Sequence, residues 1–301
     1  MKQGDLSEGE DVSRSSTQID ASLCALCATR KEFDAPAKRF HVTRTSDESI
    51  TNGSIIPGVV FEGKAWPKKA NIRALMNFVV YGNAGNPRTR LVCIVAAAQG
   101  IPIELVEVVP RRNIGRKMLM EKFPRSNGKI PALEAPDVKL TETISIALYL
   151  AKIRGPTTLL GNGSLEQEAE VVSWMSWANQ ELLGTLARWF LPLIPNFSRP
   201  VPYDKRQVET GKADSLAMLD TLEHLLSTRS HLVGEHMTVA DFFVAVVLSR
   251  GLEWVLDATW RKAHPNCMRH FEMVRDWRSV RVVVPHFPLT DEETPNVDPY
   301  E

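Results

Sequence analysis

Apolar positions along this chain follow three regimes. Through residues 1–75, polar clusters such as SDESITNGS break every run, and neither a period of 2 nor one of 3.6 is sustained. That pattern predicts a disordered leader. Met76 stands directly before the first strand-like run, MNFVVYG, and so is a candidate translation start that would make the leader dispensable. From Asn77 onward the signals alternate. Phe78, Val79, Val80 and Tyr81 form a strand ended by GNAGNP. Pro87 suits a first helical position; Leu91, Ile94, Val95 and Ala98 share a face, and Gly100 stops the helix before Pro102. IPIELVEVV reads as a second strand and RKMLMEKF as a shorter helix. IPALEA and VKLT are two strands joined by a Pro-Asp turn, and TISIALYLAKI is helical as far as Gly155-Pro156.

Beyond GPTTLLGNGS the period is helical throughout. In LEQEAEVVSWMSWANQELLGTLARWF, Val172, Met175, Leu182, Leu186 and Trp189 recur on one face, with Asn179 the polar member of the stripe, which predicts one long helix. Lys205 to Ser227 is amphipathic. Thr238-Val-Ala-Asp241 then opens the apolar helix FFVAVVL as a hydroxyl-x-x-acid start, whose side chains satisfy the first turn's N–H groups. The order β-α-β-α-β-β-α followed by helices alone predicts an α/β thioredoxin-like N-terminal domain plus an all-α C-terminal domain. The expected bounds are a disordered leader over 1–75, the first domain over 76–154, a linker over 155–163, the helical domain over 164–288 and an acidic tail over 289–301.

Charge narrows the partners. The 301 residues hold 36 Lys and Arg against 36 Asp and Glu, so no net field favours nucleic acid or an anionic membrane, and the expected partner is small or neutral. The densest apolar stretch, TVADFFVAVVL, contains Asp241 and soon meets Arg250, which argues against a membrane span. The acidic, Ser-rich first residues resemble neither a signal nor a transit peptide, and a cytoplasmic location is the expectation. Four cysteines do not make a disulfide scaffold. CALC, at Cys24 to Cys27, lacks both the strand-helix context of a redox pair and the second ligand pair of a zinc site. His264 and His270 are poorly spaced for a metal, and His231 and His236 flank a turn; no metal is expected.

The stretch NGKIPALEAPDVKLTET, residues 127–143, carries the chemistry. A proline after a strand-forming residue, in a chain of this order, is where the thioredoxin-like fold keeps a cis X-Pro bond. With Pro131 in that geometry, Ile130 would present its backbone to an extended peptide. Glu142 and Thr143 open the next helix, where free N–H groups and the helix dipole attract a carboxylate and an acid can hold an ammonium. Lys129 can reach a second carboxylate. A peptide with a zwitterion at one end and a carboxylate at the other describes glutathione.

GKIPALE followed by KLTETISIALYLAK resembles the glutathione-binding segment of the glutathione transferase superfamily. VVSWMSWANQEL, HLVGEHMTVADFFVA and WRKAHPNCMRHFEMVR resemble its helical domain. Within the superfamily the likeness is to the transferase-like domain of the gamma subunit of translation elongation factor one and to related fungal glutathione transferases; it spans residues 76–285. FPRSNGKIP departs by two extra residues between its first Pro and the Gly, and Thr143 stands where serine is commoner. The resemblance implies glutathione as co-substrate, a homodimer and a small hydrophobic electrophile, of the secondary-metabolite kind, as second substrate.

Such chemistry needs a thiolate, and a free thiol near pKa 8.5 is only slightly ionised at neutral pH. Many members use a Tyr or Ser at the end of the first strand. Here the turn is YGNAGNPRTR, and Gly85 occupies the position where some classes keep serine. The gamma-subunit-like branch has Asn-x-Arg instead, matched by Asn86 and Arg88, with Arg90 beyond. The resemblance therefore implies that Asn86 donates to sulfur while Arg88 or Arg90 supplies positive potential; Tyr81 is the outside candidate. The second substrate is expected between the domains, against Asn179, Arg188, Trp189 and Phe190. A non-catalytic interaction module and a glutathione-dependent isomerase are the alternatives to a transferase.

Overall fold

A computed structural model describes residues 78–195 and 202–301. The leader, CALC and Met76 lie outside the described residues. Four short strands, β1 (Val79–Gly82), β2 (Glu104–Glu107), β3 (Ala132–Ala135) and β4 (Val138–Thr141), make one sheet in the order β2-β1-β3-β4. β1 runs parallel to β2 and antiparallel to β3, which forms a hairpin with β4. Helix α1 (Pro87–Ala98) makes the crossover, α2 (Arg116–Lys122) precedes the hairpin and α3 (Thr143–Lys152) follows it. Alternation of side chains divides the sheet into two faces. Val80, Leu133 and Leu140 are cross-strand neighbours on the face that joins the main core with α1 and α3. Tyr81, Ala132 and Thr141 share the other face, where Tyr81 and Ala132 meet Val108, Leu119 of α2 and Phe123 in a second, smaller cluster.

The remaining helices are α4 (Leu165–Ser176), α5 (Leu183–Phe190), α6 (Lys205–Leu226), α7 (Val239–Trp254), α8 (Ala258–Ala263), α9 (Pro265–Arg275) and α10 (Arg278–Val283). One hydrophobic core runs without a break from Phe78 in the sheet domain to Phe287, because α1 packs directly on α7 and α10. The two domains therefore share their apolar interior. Helix α7 is its axis: every residue from Val239 to Leu252 is buried, Arg250 included, whose guanidinium pairs with Glu253.

The single long helix expected over LEQEAEVVSWMSWANQELLGTLARWF is divided. Between α4 and α5, Trp177–Leu182 forms a π-turn, in which the Leu183 N–H bonds the Ala178 carbonyl five residues back. The extra residue in the turn changes the phase of the stripe. Met175, Leu182, Leu186 and Trp189 are buried as expected, but Val171 and Ala178 join them while Val172 is only half-buried. Asn179 leaves the core face.

Residues 289–301, read as an acidic tail, run as a strap along α6, α7 and α8. Thr290 and Thr294 donate backbone N–H bonds to the carbonyls of Leu252 and Trp254, at 2.8 and 3.1 Å. Their acids meet cations of the bundle: both Glu293 oxygens lie 2.6–2.7 Å from Lys212 Nζ, and Asp291 pairs with Arg261 at 3.0 Å. The linker is equally anchored, since Thr157 caps a short 3-10 turn and Leu159 and Leu160 are buried.

Helices α5 and α6 approach closely at Gly211. A Cβ there would stand 2.9 Å from the Trp189 backbone nitrogen and 3.0 Å from the Arg188 carbonyl carbon, atoms that cannot swing aside. Gly211→Val is therefore expected to cost about 1–3 kcal/mol through overpacking, more than the few tenths it gains in helix propensity over glycine. A melting temperature equal to or above that of the parent would contradict this account.

Candidate functional site

Cross-strand register gathers the site at one end of the sheet. Tyr81 pairs with Ala132 and Ala132 with Thr141, so the segments that continue those strands lie side by side: the turn after β1, the Ile130-Pro131 dipeptide before β3, and Glu142-Thr143 after β4. The Ile130-Pro131 peptide bond is cis. Before it, the loop forms a 3-10 turn over Pro124–Ser126, followed by Asn127 and Gly128 at φ 51° and 72°. Ser126 Oγ accepts the Gly128 N–H at 3.0 Å. A side chain at Gly128 would collide with Arg116, since a Cβ would stand 2.9 Å from Nε. Lys129 is exposed beside this contact. Neither cation has a carboxylate partner among the described residues. Arg116 was not foreseen, because nothing in RKMLMEKF alone tells which residue of the helix will lie on the loop.

Glu142 takes φ 71° and ψ 121°, a left-handed backbone that costs a non-glycine residue roughly 1 kcal/mol or more. The conformation swings the chain from strand into helix. Its exposed carboxylate makes no cap bond, and no acid occupies the first turn of α3, so the turn's N–H groups keep their attraction for an anion. Thr143, the first residue of α3, is 4% exposed and so is buried at this corner. A group carrying both a carboxylate and an ammonium fits these residues: helix N-terminus and hydroxyl for the first, Glu142 for the second.

At the head of α1 the loop is tightly tied. Gly85 N–H donates to Asn83 Oδ1 at 2.8 Å, and Asn86 caps the helix by accepting from the backbone N–H groups of Arg88 and Thr89 at 2.9 and 3.3 Å. Arg88 crosses to the helical domain, where its Nε donates to Asn179 Oδ1 at 2.6 Å and its Nη2 to the Asn179 carbonyl at 3.1 Å. Arg90 turns elsewhere: Nε donates to the Ala84 carbonyl at 2.9 Å, and the guanidinium lies 5.9 Å from the Phe287 ring centre. Arg88 thus links the Asn86 cap, through its backbone N–H, to Asn179, through its guanidinium, while Arg90 braces the loop.

Tyr81 is engaged on the α2 face. Its hydroxyl donates to Glu134 Oε2 at 2.7 Å, and Lys122 Nζ lies 2.5 Å from both oxygens. Burial raises the phenol pKa, which the Lys122 bond only partly opposes, while Lys122 and Tyr81 together hold the Glu134 carboxyl below its ordinary value. A phenol so committed is poorly suited to receive a thiol's proton.

The expected second-substrate wall is corrected. Trp189 and Phe190 are 2% and 0% exposed and fill the core, and Arg188 pairs with Asp214 at 2.9 Å. Helical spacing places Trp189 and Phe190 on the inner side, which the core fills, whereas Arg188 stays part-exposed. Cys267 is buried, with its thiol raised by that burial, and Cys93 is pushed up to about 12 for the same reason. His264 stacks on Trp260, and His270 bonds Asp241. Among the described residues no cluster of three His, Cys, Asp or Glu could hold a metal ion, and no helix is long and apolar enough to cross a membrane.

Comparison with known proteins agrees with this architecture. Two family models match: "Glutathione S-transferase, N-terminal domain" over residues 76–152 and "Glutathione S-transferase, C-terminal domain" over residues 185–276. The glutathione S-transferase psoE of Aspergillus fumigatus is 34% identical over 206 residues, covering 68% of this chain and 82% of that protein. Glutathione S-transferase stcT of Emericella nidulans is 32% identical over 198 residues, or 65% and 86% of the two chains. Among solved structures, the GST-like domain of elongation factor 1-gamma from Saccharomyces cerevisiae superposes with a TM-score of 0.62 at 25% identity, covering 73% of this chain and 98% of that one. With both halves matched in order, and the cis-proline and helix corner set side by side by strand register, the chain belongs to the glutathione S-transferase family.

Proposed function

We propose that this protein is a glutathione transferase that adds the glutathione thiolate to a small electrophile of the secondary-metabolite kind. The observation that carries the reading is the corner itself. A buried Thr143 heads an uncapped helix, Glu142 is held at φ 71° beside it, and the cis Ile130-Pro131 edge lies on the neighbouring strand. These residues match the two ends and the extended middle of the tripeptide, with Lys129 facing its second carboxylate. Asn86 and the N-terminus of α1 stabilise the sulfur anion. The thiol proton departs to solvent, the sulfur electron pair forms the new S–C bond, and the electrophile's π pair or leaving group takes up the displaced electrons. A homodimer in the cytoplasm is the working form we infer from family membership.

Retention on immobilised glutathione, eluted by free glutathione, together with turnover of a generic aryl halide or enone, is the expected result. Absence of both would overturn the proposal. Retention without turnover would favour a second reading, a non-catalytic module akin to the elongation factor domain, supported by the commitment of the Arg88 guanidinium to a contact between the domains.

A further inference from the structure

The tie between Arg88 and Asn179 joins two features that the fold alone does not require. One is an arginine in the first turn of α1, two residues beyond the Asn86 cap. The other is the π-turn over Trp177–Leu182, which interrupts a helix that is otherwise regular on both sides. Such turns persist because they re-aim a side chain, and they gather at functional sites. Here the residue re-aimed is Asn179. Its side-chain oxygen and its carbonyl grip two nitrogens of one guanidinium, at 2.6 and 3.1 Å, across 91 residues of sequence.

We propose that Asn179 is a positioning residue for thiol activation: from the helical domain it fixes the guanidinium of Arg88, a first-turn residue of α1. The proposal rests on the transferase reading above and replaces the second-substrate role first expected of Asn179. A fixed guanidinium supplies a directed field at low reorganisation cost, whereas an arginine released to solvent is screened. Asn179 suits the task because its acceptor is neutral. An aspartate in its place would hold Arg88 equally well and cancel its charge. Seating of the helical domain is thereby made a condition of thiol ionisation in the sheet domain.

The test compares Asn179→Leu and Asn179→Asp with the parent, each alone and in an Arg88→Leu background. The thiol pKa of bound glutathione is read from thiolate absorbance, and glutathione affinity from calorimetry. Asn179→Leu is expected to raise the bound thiol pKa by roughly one pH unit and to lower kcat by about 10-fold to 100-fold, with glutathione KM changed less than about 3-fold. Asn179→Asp is expected to raise the thiol pKa as well, although it restores the hydrogen bond. Neither change should have further effect once Arg88 is leucine. A parent that ionises bound glutathione normally, with an Asn179→Leu variant of unchanged thiol pKa and kcat, overturns the positioning role and leaves the transferase standing. A parent that binds no glutathione overturns both. Loss of affinity in proportion to kcat identifies a merely structural contact and also overturns it.

Discussion

Asp241→Ala is expected to lower the unfolding free energy by about 3–5 kcal/mol, the cost typical of removing one partner from a buried charged network. Asp241 is fully buried, and its two oxygens hold four donors. Oδ1 accepts the Leu232 N–H at 2.8 Å and faces His270 Nε2 at 2.9 Å; Oδ2 accepts both the Thr238 N–H and the Thr238 hydroxyl at 2.8 Å. The carboxylate thus starts α7, anchors the preceding turn and pins α9. Alanine would strand all four donors in the interior. Burial by itself would raise the carboxyl pKa, but the His270 bond and the two backbone N–H groups more than offset it, and the net shift is downward. A carboxyl with a lowered folded-state pKa contributes stability that is complete above the unfolded value of about 3.9. That contribution fades as pH falls through the folded value. Asp241→Asn, which keeps the shape and loses the charge, should accordingly carry its full penalty above about pH 4 and begin to approach the parent only as pH falls below that value. Urea denaturation at several pH values measures both effects. A penalty for Asp241→Asn that stays constant down to pH 3 would show that charge is not what the network needs.

That network also marks what was readable in advance. Thr238-x-x-Asp241 announced the cap, because both partners lie within one turn; His270, which completes it, lies 29 residues away and came together with it only through packing of α9 on α7. The same division holds elsewhere. Strands, crossover and hairpin of the sheet domain were legible because period, proline and glycine positions are local. The π-turn was not, since WMSWANQELL carries no breaker, and inserting one residue into a helix leaves the apolar count unchanged. The strap over 289–301 looked like a tail because its acids are locally unpaired, their partners Lys212 and Arg261 being supplied by helices far back in the chain. In the candidate site, the residues grouped by the cis-proline and the head of α3 share one short stretch and could be read together. Arg88 could be named from its motif, but its grip on Asn179 crosses the two domains.

The largest functional effect is expected at Thr143. Thr143→Ala should weaken glutathione binding by roughly 1–3 kcal/mol, the range for a hydrogen bond to a charged group whose partner is then left in a buried corner. That is on the order of 5-fold to 150-fold in affinity. Stability should fall by less than affinity: Thr143 shares the buried face of α3 with Ile146, Ala147, Leu150 and Ala151, but alanine is a better helix former than threonine, which offsets part of the lost packing. The separation matters, since a loss of affinity that exceeds the loss of stability assigns the difference to the ligand and not to the fold. Thr143→Ser then supplies the complementary arm: it keeps the hydroxyl and removes only a methyl, so it should recover most of the affinity. The two variants together distinguish the hydroxyl from the shape of the corner. Calorimetric affinities for Thr143→Ala equal to those of the parent would remove Thr143 from the site and leave anion recognition there to the N–H groups of α3 alone. Equal losses in the alanine and serine variants would instead make the methyl, and hence packing against the ligand, the contribution that counts.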